Sequence, residues 1–111
     1  MRTIDDILPT VQEATADGKL HWKDYDMPES YEAQIGPFLV RIWQWQDNDD
    51  DTSGYTVQLL RGSKVMDTAR ASQYGSKFGL LEAVFEGARR SYLNVDEVIA
   101  DLEGELAKLM K

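Results

Sequence analysis

Phe38-Leu39-Val40-Arg41-Ile42-Trp43-Gln44-Trp45-Gln46 is the stretch that decides the fold. It is dense in β-branched and aromatic residues, which suit an extended, pleated backbone, and the Gly36-Pro37 pair just before it is a strong turn signal. Alternate side chains of a strand point to opposite faces. Phe38, Val40 and Ile42 therefore share one face, read as the side that meets helices, and Leu39, Arg41, Trp43 and Trp45 share the other. Two indoles and a guanidinium are thus grouped on the far side of one strand. The competing reading is a layered core, with the amino-terminal helix covering one side of the sheet and the carboxy-terminal helices the other.

Downstream, Tyr55 to Leu60 reads as the pairing strand, joined through a long acidic hairpin connection, Asp47-Asn48-Asp49-Asp50-Asp51-Thr52-Ser53-Gly54. Arg61-Gly62-Ser63 then turns the chain into a more polar strand, Lys64 to Ala71. Upstream, Tyr31, Ala33 and Ile35 alternate, as do Leu20 and Trp22. Pro28 is expected to close that earlier segment as a short edge strand or extended loop. The centre is an antiparallel meander.

Helical spacing flanks it. Ile4, Ile7, Leu8, Val11 and Ala14 predict a helix over about residues 7–16, with Asp6 as cap, Pro9 in the first turn and Gly18 as the left-handed stop. After Gly75, the residues Phe78, Leu81, Val84, Phe85, Ala88 and Tyr92 share one helical face, with Ser76 as the expected cap. Asn94 opens a last helix through a capping box with Glu97 and a Leu93–Val98 staple. The stripe of that helix, Val95, Val98, Ile99, Leu102, Leu106, Leu109 and Met110, demands burial against the sheet, the previous helix or another subunit. The fold class is α+β: an antiparallel β-meander of three to five strands with an N-terminal helix and two C-terminal helices. With 111 residues and no linker, residues 1–111 read as a single compact domain.

Composition narrows the function classes. Twelve Lys plus Arg against 20 Asp plus Glu leave a net charge of -8, a field that repels phosphate backbones and anionic lipid and attracts basic partners. The absence of cysteine removes disulfides, thiolate nucleophiles and thiolate metal sites, and fits a reducing compartment, so a cytoplasmic location is expected. Residues 1–6 lack the order of a secretory signal, and no apolar run reaches the roughly 18 residues of a membrane span.

Chemical motifs are weak. His21 is the single histidine and reads as a partly exposed strand residue rather than a base or ligand. Asp47, Asp49 and Asp51 have the alternate spacing of calcium loops, but Thr52 and Gln58 stand where the helix-loop-helix motif needs Gly and Glu, so a solvated hairpin tip is the reading. Gly75-Ser76-Lys77-Phe78-Gly79 lacks the order of a phosphate-binding loop. The pairs Asp24/Asp26 and Glu82/Glu86 lack apolar surroundings in the sequence. No catalytic residue, metal or cofactor is expected, and the reading leans away from an enzyme.

What remains is a small acidic, non-catalytic protein-interaction domain whose binding residues are Leu39, Arg41, Trp43 and Trp45, since Trp and Arg dominate interface hot spots. In size and charge it resembles small inhibitors, immunity proteins, antitoxins and phage antagonists of bacterial defences, a likeness of class that identifies no family. Its expected partner is another protein or a second copy of itself, as in a homodimer. The alternative is nucleic-acid binding through the locally basic segment 61–90, by Arg61, Lys64, Arg70, Lys77, Arg89 and Arg90. The helix–three strands–helix order resembles a double-stranded-RNA-binding domain, a strongly basic module with a lysine-rich helix start. Here that start offers only Lys77 and a further helix follows, so no functional residue carries over.

Overall fold

The computed structural model describes the backbone of residues 1–111 and every side chain except those of Met27 and Pro28. A 3-10 turn, Ile4–Ile7, runs directly into helix α1, Leu8–Ala16. Five strands follow: β1 (Lys23–Tyr25), β2 (Met27–Ile35), β3 (Phe38–Asp47), β4 (Thr52–Arg61) and β5 (Lys64–Ser72). Helices α2 (Phe78–Leu93) and α3 (Val95–Leu109) close the chain. The strands form one antiparallel sheet in the order β1-β2-β3-β4-β5, so the α+β meander is present with five strands.

Register explains which residues face inward. Ile42 of β3 lies between Tyr31 of β2 and Val57 of β4, and Val57 in turn pairs with Ala69 of β5. These four side chains, with Ala33, Val40, Tyr55 and Ala71 in adjacent rows, are all buried. Helix α2 lays Leu81, Val84, Phe85 and Ala88 against them, each essentially inaccessible to solvent. Its Phe85 ring sits 5.5 Å from Tyr31 and 4.9 Å from Tyr55, in tilted geometries that aromatic pairs favour. Helix α1 packs beside α2 and adds Leu8 and Val11 to the same core.

Both helices therefore cover the same face of the sheet, and the layered alternative, with helices on opposite sides, is not what forms. Leu20 and Trp22 are buried in an extended connection rather than a strand. The Trp22 indole N–H donates to Thr15 Oγ1 at 2.9 Å, and its backbone N–H donates to Ser91 Oγ at 3.3 Å. Those bonds tie α1 to α2, and ladder pairing starts only at Lys23. The short edge strand ends at Tyr25, and the backbone at position 28 lies inside β2 instead of closing the earlier segment.

Several local expectations shift. The amino-terminal helical segment begins three residues before Ile7, with the Asp6 carboxylate accepting from the Thr3 N–H at 2.9 Å instead of capping from Asp6. Gly18 does end it in a left-handed conformation, at φ 74°. The β3–β4 connection is shorter than the acidic run suggests, because Asp47 still pairs with Thr52 and only residues 48–51 form the turn. Lys77 rather than Ser76 precedes α2, without a side-chain cap.

Asn94 marks the helix boundary, but not by the expected capping. It takes a left-handed conformation (φ 56°, ψ 47°) that terminates α2, and its side-chain amide donates to the Glu97 carboxylate, while Leu93 and Val98 stay exposed. Helix α3 then leaves the body and buries no residue. The radius of gyration is 16.2 Å, where a compact chain of this length has roughly 13 Å. Among the described residues no helix is long and apolar enough to cross a membrane.

The core tyrosines make stability pH-sensitive. Burial, reinforced by Glu29, pushes the Tyr31 hydroxyl above its ordinary value of 10.0, and burial reinforced by Glu82 does the same to Tyr55. Above that value the unfolded chain loses these protons first, so the folded state holds more protons and stability falls as pH rises toward the folded values. Denaturant midpoints should fall from this cause above the ordinary tyrosine value, and fall less steeply in Tyr55→Phe; parallel slopes would dismiss Tyr55 as a source.

Candidate binding face of the sheet

The face of the sheet opposite α1 and α2 follows from the same register. One row across it reads Lys23, Glu32, Arg41, Gln58 and Thr68; the next reads Ser30, Trp43, Thr56 and Arg70; the last reads Trp45, Gly54 and Ser72. Leu39, Arg41, Trp43 and Trp45 thus share this face as expected from alternation, and all four are half-buried. Among the described residues no helix packs on it. Ser30, Thr56 and Leu60 of this face are nonetheless buried.

Arg41 is held within the chain. Its Nε donates to Glu32 Oε2 at 3.1 Å, Lys23 Nζ approaches the other carboxylate oxygen at 3.6 Å, and its guanidinium carbon lies 4.0 Å from the centre of the Tyr25 ring. A carboxylate between two cations and a ring beneath one of them fix the guanidinium without removing it from solvent.

Trp45 is held by shape. Gly54 lies directly opposite it in the ladder, and a methyl group there would fall 2.6 Å from the indole Cζ2 and 2.0 Å from the Ala71 carbonyl oxygen. The ring occupies the space that any other residue at position 54 would fill. Arg70 places its guanidinium carbon 4.0 Å from the Trp45 ring centre. Among the described residues the Trp45 indole N–H and Ser30 Oγ are shielded from solvent without a hydrogen-bond partner. An unpaired buried polar group costs about 1–3 kcal/mol, so this face carries polar capacity that folding leaves unused.

The six basic residues of segment 61–90 are not brought together. Only Arg70 joins the open face. Lys77 pairs with Asp5, whose hydrogen bond and charge hold the ammonium above its ordinary value; Arg89 lies 4.0 Å from Glu86, and Arg90 3.3 Å from Asp96. Arg61 lies over Phe38 at 5.7 Å, on the other side of the sheet, and Lys64 pairs with it at the β4–β5 turn.

The remaining chemical motifs gain no convergent partners. His21 is exposed and lines a cleft of about 410 Å³ between α1 and α2 with Gln12, Gly87, Arg90 and Ser91. The Ser91 hydroxyl oxygen there already accepts from Trp22. In the acidic turn, Asp47 Oδ1 accepts from the Asp49 N–H at 3.0 Å, an ordinary turn-stabilising bond. No group of three or more metal-ligating side chains occurs among the described residues.

Tyr25, Glu32, Gly54 and Arg70 belong to this face and were not assigned to it from sequence. Register was the missing signal: reading the turn as residues 48–51 would have set Gly54 opposite Trp45. Compared with family models, curated proteins and solved structures, the chain matches none.

Gly54→Ala should destabilise the protein by about 1–3 kcal/mol through overpacking. It should also shift Trp45 emission toward that of a more exposed indole, because the methyl meets a backbone oxygen that cannot yield as a side-chain tip does. Equilibrium denaturation and fluorescence spectra check both effects.

Proposed function

We propose that this protein is a non-catalytic interaction domain that binds another protein through the open face of its sheet, centred on Trp43 and Trp45. The observation that carries this reading is the one-sided packing. Helices α1 and α2 seal one face, and the other retains two half-buried indoles, Leu39 and a fixed arginine. Large rigid aromatics give contact area at little conformational cost, and an arginine already clamped by Glu32 and Tyr25 loses little freedom on docking. The face is broad and nearly charge-balanced, with Lys23, Arg41 and Arg70 against Glu32 and Asp47, which supports a protein surface over a phosphate backbone.

A small-inhibitor, immunity or anti-defence role is the biological form this reading takes. The intracellular setting goes with it, on the strength of the cysteine-free sequence. Nucleic-acid binding ranks second, favoured only by the Arg70–Trp45 and Arg41–Tyr25 stacks. It predicts a low-salt gel shift with single-stranded oligonucleotides that fades as salt rises.

Immobilised full-length protein should retain a specific protein from its native host. Trp43→Ala or Trp45→Ala should weaken that retention at least about tenfold, the equivalent of ~1.4 kcal/mol, with near-UV dichroism still that of a folded core. If either substitution unfolds the isolated chain, the rings are structural and the binding face is lost; if retention is unchanged, the partner docks elsewhere. Arg41→Ala distinguishes an anchor, which weakens retention, from a rim residue, which does not.

A further inference from the structure

Helix α3 has no stabilising surface within its own chain. It is 15 residues long, buries none of them, and packs chiefly where its first turn joins α2. A helix of this length is marginal in water on its own, and Gly104 in its interior costs about 1 kcal/mol relative to alanine. Yet Val98, Ile99, Leu102, Leu106, Leu109 and Met110 stand between 46% and 86% exposed. The sequence demanded that this stripe be covered, and neither the sheet nor α2 covers it.

Its pattern identifies what does. Val95, Ile99, Leu102, Leu106 and Leu109 are separated by alternating steps of four and three residues, the spacing of a seam that packs against another helix of the same kind. Charge along the helix is split. Asp96, Glu97, Asp101, Glu103 and Glu105 occupy the first part without a base, and Lys108 and Lys111 occupy the end without an acid. This complements the helix's own dipole. Parallel copies would bring the two acidic bodies, both attached at the Val95 end, side by side, whereas antiparallel copies set them at opposite ends of the pair. Covering the exposed side chains on both copies removes roughly 1,000–1,500 Å² in total, enough to reach the lower end of the range for specific interfaces.

We infer that α3 is a dimerisation arm, pairing antiparallel with α3 of a second copy about a two-fold axis near Leu102. The pairing goes beyond the sheet-face reading and does not depend on it, since no residue of that face takes part.

Light scattering on the full chain should give twice 12.6 kDa, and Leu102→Glu combined with Leu106→Glu should return it to 12.6 kDa with an unchanged core melt, because α3 contributes no buried residue. A wild-type monomer at high micromolar concentration overturns the inference, as does a dimer that survives both substitutions. Direction is tested separately in a chain that has no cysteine of its own. Leu102→Cys should crosslink to itself under oxidation, whereas Val95→Cys and Leu109→Cys should crosslink to each other when mixed and not alone. Self-crosslinking of all three would mean a parallel pair, and none at any position would mean that the helices do not meet.

Discussion

Phe85, lodged between Tyr31 and Tyr55, is the contact from which the rest of the architecture follows. It pins the middle of α2 across β2 and β4 and so decides which face of a two-faced sheet is sealed. Tyr31 continues the stack to Tyr92 at 5.5 Å, and Tyr55 reaches Phe78 at 5.4 Å, so one line of rings runs nearly the length of α2. Once that line is set, α1 has one place left to pack, beside α2. The Trp22 bonds to Thr15 and Ser91 lock it there. Both helices that pack on the sheet are then used on one side, and the opposite side is left to its own side chains.

That opposite side is organised without a second layer. Its arginines stack on its rings, Arg41 on Tyr25 and Arg70 on Trp45, and Ser30, Thr56 and Leu60 of the same face are buried. Gly54 is the enabling residue, since the missing side chain is what lets the Trp45 indole settle against the backbone. A face built this way is ordered before any partner arrives, and preorganisation lowers the entropic cost of docking. It also explains why Trp43 and Trp45 are neither dry nor fully exposed.

Much of this was legible in the residues, and what escaped had physical causes. Alternation in Phe38 to Gln46 gave the two faces correctly, because a period of two is insensitive to where a strand begins. The helical stripe of α2 was equally plain, as Leu81, Val84, Phe85 and Ala88 repeat without interruption. Leu20 and Trp22 alternate like a strand, yet they are buried by contact with helices, a tertiary effect that spacing does not encode. Asn94 carries the residue types of a helix cap, but asparagine also tolerates the left-handed conformation, and ending α2 took precedence over starting α3. The stacks on Tyr25 and Trp45 depend on pairing between strands far apart in sequence, which needs register and not composition.

The proposed arm and the proposed face answer different constraints set by one charge. Each copy carries -8, so bringing two bodies into direct contact would oppose like fields. A helix of 15 residues extends about 22 Å, well beyond the screening length of roughly 8 Å at physiological salt. An interface confined to that helix therefore joins the copies while leaving most of their acidity outside each other's range. The apolar seam supplies the attraction. Two copies joined in this way leave both sheet faces free. For a partner that is itself repetitive or paired, engagement of one face raises the effective concentration of the other. The geometry thus converts a flat and moderately apolar surface, weak if used singly, into one that gains strength from being doubled.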